Sequence, residues 1–155
     1  MLYRSAIGLR TTPSIIWLGH IKDLTPSGKS PRHAFLKSDP LDALADIRDE
    51  CGISQWDGYK APPISAETLQ EAELFLKQLP YSVAKPHVAP TASGTIAFEW
   101  RSGNNSIMLI TVSGLGNITY AAIINGVRKI HGMEPFIEFI PQLIIDLLVV
   151  NFKAV

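Results

Sequence analysis

Residues 96–131 read IAFEWRSGNNSIMLITVSGLGNITYAAIINGVRKIH, and the spacing of their apolar side chains decides the fold class. Ile96, Phe98 and Trp100 alternate with Ala97, Glu99 and Arg101, the period of two that sends successive side chains to opposite faces of a strand. Ser102-Gly103-Asn104-Asn105 turns the chain, and Ile107 to Val112 returns it. A second turn, Ser113-Gly114-Leu115-Gly116-Asn117, leads into Ile118, Tyr120, Ala122 and Ile124, which alternate with Thr119, Ala121 and Ile123. Asn125-Gly126 is a hairpin dipeptide, because both residues accept positive φ, and Val127 to His131 forms a fourth strand before Gly132. The pattern predicts an antiparallel meander of three to four strands over about 95–131.

Outside this stretch the apolar period becomes helical. Ser38-Asp39-Pro40 combines a capping side chain with a proline at the first helical position, where its missing N–H is not needed. Leu41, Leu44 and Ile47 give that helix an apolar face over about 40–51, and Gly52 offers a left-handed stop. Ser65 caps a second helix through Leu69, Ala72, Phe75, Leu76 and Leu79, ended by Pro80. Glu67, Gln70, Glu71, Glu73, Lys77 and Gln78 are expected on its solvent side, with Glu73 and Lys77 in the favourable i, i+4 order. Pro141 opens a terminal helix to about 151 in which Leu143, Ile144, Ile145, Leu147, Leu148, Val149 and Val150 nearly encircle the axis. Such a helix should be buried on more than one side, against the meander or another chain. The fold class expected is therefore α+β, a three- to four-stranded antiparallel meander covered on one face by about three helices.

Composition narrows the remaining choices. The chain has 155 residues, 46% hydrophobic and 18% charged, with 14 cations and 14 anions. This is too apolar for global disorder and suits one compact domain over 38–155. One cysteine, Cys51, forms no internal disulfide and supplies no cysteine-rich metal site, which fits a cytoplasmic setting. No secretory leader is read at the start, and Leu143 to Val150, interrupted by Asp146, is far shorter than the roughly 20 residues of a membrane span. Residues 1–37 are expected to be weakly structured apart from a short strand at Ile15 to Leu18. They carry Arg4, Arg10, Lys22, Lys29, Arg32 and Lys37 against Asp23 alone, leaving eight cations and thirteen anions for the rest of the chain.

Signals for chemistry are sparse. His20, His33, His87 and His131 never pair at helical spacing, and no metal or cofactor is expected. Cys51, at a helix C-terminus where the dipole disfavours a thiolate, reads as an apolar filler. Asp46, Asp49, Glu50 and Asp57 read as solvated carboxylates, and no nucleophile elbow, phosphate loop or dinucleotide fingerprint is present. The distinctive segment is Trp56-Asp57-Gly58-Tyr59 before Pro62-Pro63-Ile64-Ser65, which holds two rings either as plugs against the sheet or as contacts for a partner.

Trp56-Asp57-Gly58-Tyr59, Pro63-Ile64-Ser65, Phe75-Leu76, Leu79-Pro80, Pro90, Gly94, Ile96 and Phe98-Glu99-Trp100 together resemble a group of small bacterial proteins without an established activity. In that group a Trp-Asp-Gly-Tyr loop leads into a helix, a proline-bounded linker and a hairpin whose first strand ends in Glu-Trp. The likeness covers residues 41 to about 130 and implies a bacterial or phage origin.

The function expected is a non-catalytic protein-interaction module, self-associating or engaging a partner such as a toxin or defence component of a bacterial gene pair. The candidate contacts are Trp56, Asp57, Tyr59, Leu143, Leu147 and Val150. Three other readings compete with it: a small enzyme using Asp57, His87 or neighbouring carboxylates, a nucleic-acid binder using Arg4, Arg10, Lys29 and Arg32, and a purely structural accessory domain. Nucleic-acid binding predicts an affinity that falls steeply with salt and disappears with residues 1–37; binding that ignores salt, or no binding, rejects it.

Overall fold

The computed structural model describes residues 39–155. The first 38, with the basic segment and Ile15 to Leu18, lie outside the described residues. Helix α1 (Pro40–Glu50) begins where Asp39 accepts a hydrogen bond from the Leu41 N–H at 2.9 Å, with Pro40 in its first turn. Its inward stripe is Pro40, Ala43, Leu44 and Ile47; Leu41, expected on that stripe, is 43% exposed. Gly52 does not take the left-handed conformation expected of it; the positive φ lies three residues on, at Gln55. Helix α2 (Ala66–Gln78) is capped by the Ser65 hydroxyl, which accepts from the Thr68 N–H at 3.1 Å.

Among the described residues the sheet has five strands in the order β1-β2-β3-β4-β5, every neighbour antiparallel: β1 (His87–Pro90), β2 (Ile96–Ser102), β3 (Ser106–Val112), β4 (Asn117–Ile124) and β5 (Arg128–Pro135). The α+β class and the meander stand, with one strand more than expected. The extra strand is β1, whose flanking prolines, Pro86 and Pro90, read as linker. Among the described residues β1 pairs with β2 alone, and a strand paired on one side tolerates prolines because half its N–H groups are not used in that ladder. Likewise β5 runs through Gly132 rather than stopping at it. Gly132 lies opposite Tyr120, whose ring covers the bare backbone so closely that a Cβ there would sit 2.5 Å from the phenolic oxygen.

Register sorts the side chains. Ile96, Val112 and Ile118 share one row; Val88, Phe98, Ile110 and Tyr120 the next; Trp100, Met108, Ala122 and Ile130 a third. These rows form one buried cluster with Leu44 and Ile47 of α1 and Ala72 and Phe75 of α2. Phe75 stacks on Phe98 with centroids 4.7 Å apart and meets Phe136 edge-on at 6.0 Å, the offset and T-shaped arrangements that ring quadrupoles favour. The Trp100 indole N–H donates to the Ala84 carbonyl at 2.7 Å. Cover on one face alone is too simple a description: on the other face Ala97, Leu109, Thr111 and Ala121 are also buried. Three of these four are short side chains, and Ala121 lies between the larger Leu109 and His131 on the adjoining strands.

Helix α3 (Gln142–Asn151) places Ile144 and Leu148 in the same cluster, with Phe152 just beyond it. Its C-terminal end is tied to the linker before β1: the Ala84 N–H donates to the Phe152 carbonyl at 2.8 Å, and the Ala154 N–H to the Ser82 carbonyl at 2.9 Å. Among the described residues no helix is long and apolar enough to cross a membrane.

One expectation is reversed with consequence. Glu71 was expected on the solvent side of α2, yet it is only 9% exposed. Its carboxylate accepts from the Ser113, Gly114 and Gly116 N–H groups at 3.1, 2.6 and 2.8 Å, while the Thr68 hydroxyl donates to the Ser113 carbonyl at 2.9 Å. The β3–β4 turn thus has its backbone donors satisfied by α2. Its approach needs glycine: Gly114 has φ +77°, and a Cβ there would lie 2.7 Å from the Thr68 nitrogen. Glu71→Ala leaves three turn donors without their acceptor and is expected to cost about 3 kcal/mol, with Glu71→Gln intermediate, read as a lowered urea midpoint at unchanged slope. A midpoint within error of the parent would show that the turn holds itself.

Candidate functional site

The terminal helix has two faces of different fate. Ile144 and Leu148 point into the core, whereas Leu143 and Val150 are 47% and 69% exposed and Leu147 is half-buried. The last three recur at i, i+4 and i+7, so they form one stripe along α3. Opposite that stripe stand Ile124, at the end of β4, and Arg128 and Ile130 on β5. Ile124 and Arg128 are direct register partners, and Ile130 follows two residues on, so all three leave the sheet on the helix side.

Between these walls runs a groove of about 250 Å³, lined by Ile124, Arg128, Ile130, Leu143, Asp146 and Leu147 with Val150 and Asn151 at one end. This is below the roughly 300–1,000 Å³ of pockets that enclose small ligands. The groove is apolar along its floor and carries one charge of each sign. Asp146, on the helix wall, accepts from the Gln142 side-chain amide at 2.7 Å. Arg128, on the strand wall, makes no ion pair among the described residues. The three terminal-helix candidates thus come together, joined by Ile124, Arg128 and Ile130, which the sequence reading did not select. Alternation in β5 marks Ile130; pairing it with α3 requires the fold.

The aromatic loop belongs to another part of the surface. The Trp56 indole N–H donates to the Pro62 carbonyl at 2.9 Å, and its ring lies partly buried against the core. Asp57 accepts from the Tyr59 and Ala61 N–H groups at 2.9 and 3.2 Å, an Asx turn that folds the loop on itself. Gln55 and Gly58, with φ 63° and 80°, supply the sharp bends. Tyr59 is 80% exposed. None of the three lines the groove.

The titratable candidates are scattered. His87 and His131 are exposed on the sheet face away from the helices, in the row that runs His87, Glu99, Leu109, Ala121, His131. Glu99 is ion-paired with Arg101. Asp49 and Glu50 are exposed on α1, and Asp46 is half-buried. Asp39, which caps α1, is held below the usual carboxylate range by the Lys85 ammonium hydrogen-bonded to it at 2.9 Å and then by the Leu41 N–H. Among the described residues no three metal-capable side chains gather. His20, His33, Arg4, Arg10, Lys29 and Arg32 lie outside the described residues.

Cys51 is buried at the end of α1, and burial, reinforced by neighbouring Glu50, pushes its thiol up to about 11. A thiol protonated at neutral pH is a poor nucleophile. Because the folded state holds this proton more tightly than the unfolded chain, its contribution to stability is intact below about pH 9 and is lost as pH rises toward 11. The native thiol is expected to resist disulfide reagents at pH 8 and to react at once in denaturant; rapid native labelling would place the sulfur in solvent. Comparison with protein-family models, curated proteins and solved structures finds no match for this chain.

Proposed function

We propose that the protein is a non-catalytic protein-interaction module, acting in the cytoplasm, whose binding surface is the groove between α3 and β5. The observation that carries this reading is the outer stripe of α3. Leu143 and Val150 remain substantially exposed on a helix whose inner residues are fully buried, and they face further apolar surface at Ile124 and Ile130. Fully covering an exposed Leu or Val side chain is worth about 2 kcal/mol, and Leu143 and Val150, 47% and 69% exposed, each leave part of that for a partner to gain. The groove is open and shallow, which suits a protein surface better than a small metabolite. Besides Asn151 at one end, its polar groups are the Asp146 carboxylate and the Arg128 guanidinium, a pair suited to orienting a partner. Of the aromatic loop, Tyr59 is the ring free to extend contact, while Trp56 and Asp57 hold the loop's shape.

The test is the size of the particle recovered in extracts after brief chemical cross-linking of intact cells, which traps a weak assembly before dilution. Wild type is expected in an assembly heavier than its 17.0 kDa chain. Leu143→Glu/Val150→Glu is expected to run as a free chain with its melting temperature within a few degrees of the parent, since both positions are exposed. Wild type running as a free chain in the extract, or an assembly indifferent to the double variant, overturns the proposal.

A further inference from the structure

Resting on that reading, we infer that the occupant of the groove is a second copy of this chain, with the two α3 helices antiparallel about a two-fold axis beside Asp146 and Leu147. A two-fold contact uses one patch twice, so the patch must complement itself. The stripe does so in shape. Leu143, Leu147 and Val150 are spaced four and then three residues apart, the repeat by which two helices interdigitate along a seam. Reversing one helix brings Leu143 against Val150 of the partner subunit and leaves Leu147 beside the axis.

It also does so in charge. Asp146 sits near the midpoint of the stripe on one wall, and Arg128 stands on the other without an ion-pair partner among the described residues. The two-fold brings Asp146 of the partner subunit to Arg128, and repeats the pair on the far side. A strongly acidic or strongly basic partner would satisfy one of these groups and oppose the other, whereas a second copy pairs each Arg128 with a carboxylate, two attractions that offset the approach of the two Asp146 side chains beside the axis. The edge of β5 away from β4 is a poorer route to self-association: it opens with Arg128-Lys129 and closes with Pro135, residues that discourage strand addition. A ten-residue helix is about 15 Å long and buries less than the roughly 800 Å² per partner of a standard interface, so the dimer is weak and concentration-dependent.

Sedimentation equilibrium of the purified full chain, from low micromolar to near-millimolar concentration, tests this. Wild type is expected to shift from monomer to dimer across that range, and Leu143→Glu/Val150→Glu to remain monomeric. Arg128→Asp and Asp146→Arg are each expected to weaken the dimer about tenfold, because each change is felt twice, and the combined reversal to restore it to within about threefold. Wild type monomeric throughout overturns the inference, as does a dimer indifferent to the Leu143/Val150 change. A combined variant no better than the single ones overturns the antiparallel arrangement. If the purified chain is monomeric while the assembly in extracts still depends on Leu143 and Val150, only the second copy falls and the interaction surface stands. If neither assembly is seen, both fall.

Discussion

Phe98, Trp100, Ile110, Ile118 and Tyr120 leave the sheet on the same side because side chains alternate along a strand, and the antiparallel register lays them in adjoining rows. That surface is too large and too apolar to remain in water. A meander alone has no means of covering it, so the elements before and after must return across it. The first two helices do so from the N-terminal side, through Leu44, Ile47, Ala72 and Phe75, and the last through Ile144 and Leu148. The covering of this face explains why the C-terminal dozen residues are ordered against the body and why the linker at Ser82 to Ala84 is hydrogen-bonded to them.

Polar groups hold the arrangement in place where apolar contact has no directional preference. Glu71 is the main instance: three N–H groups of one tight turn converge on its carboxylate, and Thr68 adds the reverse hydrogen bond, so α2 and the β3–β4 turn keep a defined alignment. Gln78 does the same at the other end of α2, its side-chain oxygen accepting from the Ile140 N–H at 2.9 Å and its amide donating to the Glu138 carbonyl at 2.5 Å. Between these anchors the chain from β5 to α3 crosses the end of α2, and α3 is delivered with one stripe inward and the other open.

Much of this was readable in advance, and the failures have physical causes. The three strands from Ile96 to Ile124 were legible because alternation, turn glycines and Asn125-Gly126 agree. Strand β1 was not, since its prolines look the same in a linker and at a sheet edge. Glu71 was misplaced because a carboxylate on a helix reads as solvated unless its acceptor role toward a distant turn is known. For α3, apolar residues on nearly every side hide which stripe faces the core; only the fold separates Ile144 and Leu148 from Leu143, Leu147 and Val150. The opposite wall, Ile124, Arg128 and Ile130, depends on strand register and on the return path of the chain, neither of which is written locally.

Core and binding surface alike depend on that division of α3 into an inner stripe that completes the core and an outer stripe left open beside β5. Methyl relaxation by a soluble paramagnetic agent, recorded on the full chain at low concentration, reads both stripes in one spectrum. The methyl groups of Ile144 and Leu148 should be shielded as strongly as those of Ile96 and Ile110, while those of Leu143 and Val150 relax several-fold faster. Equal relaxation of the two stripes, or shielding of Leu143 and Val150 with Ile144 and Leu148 open, would contradict it.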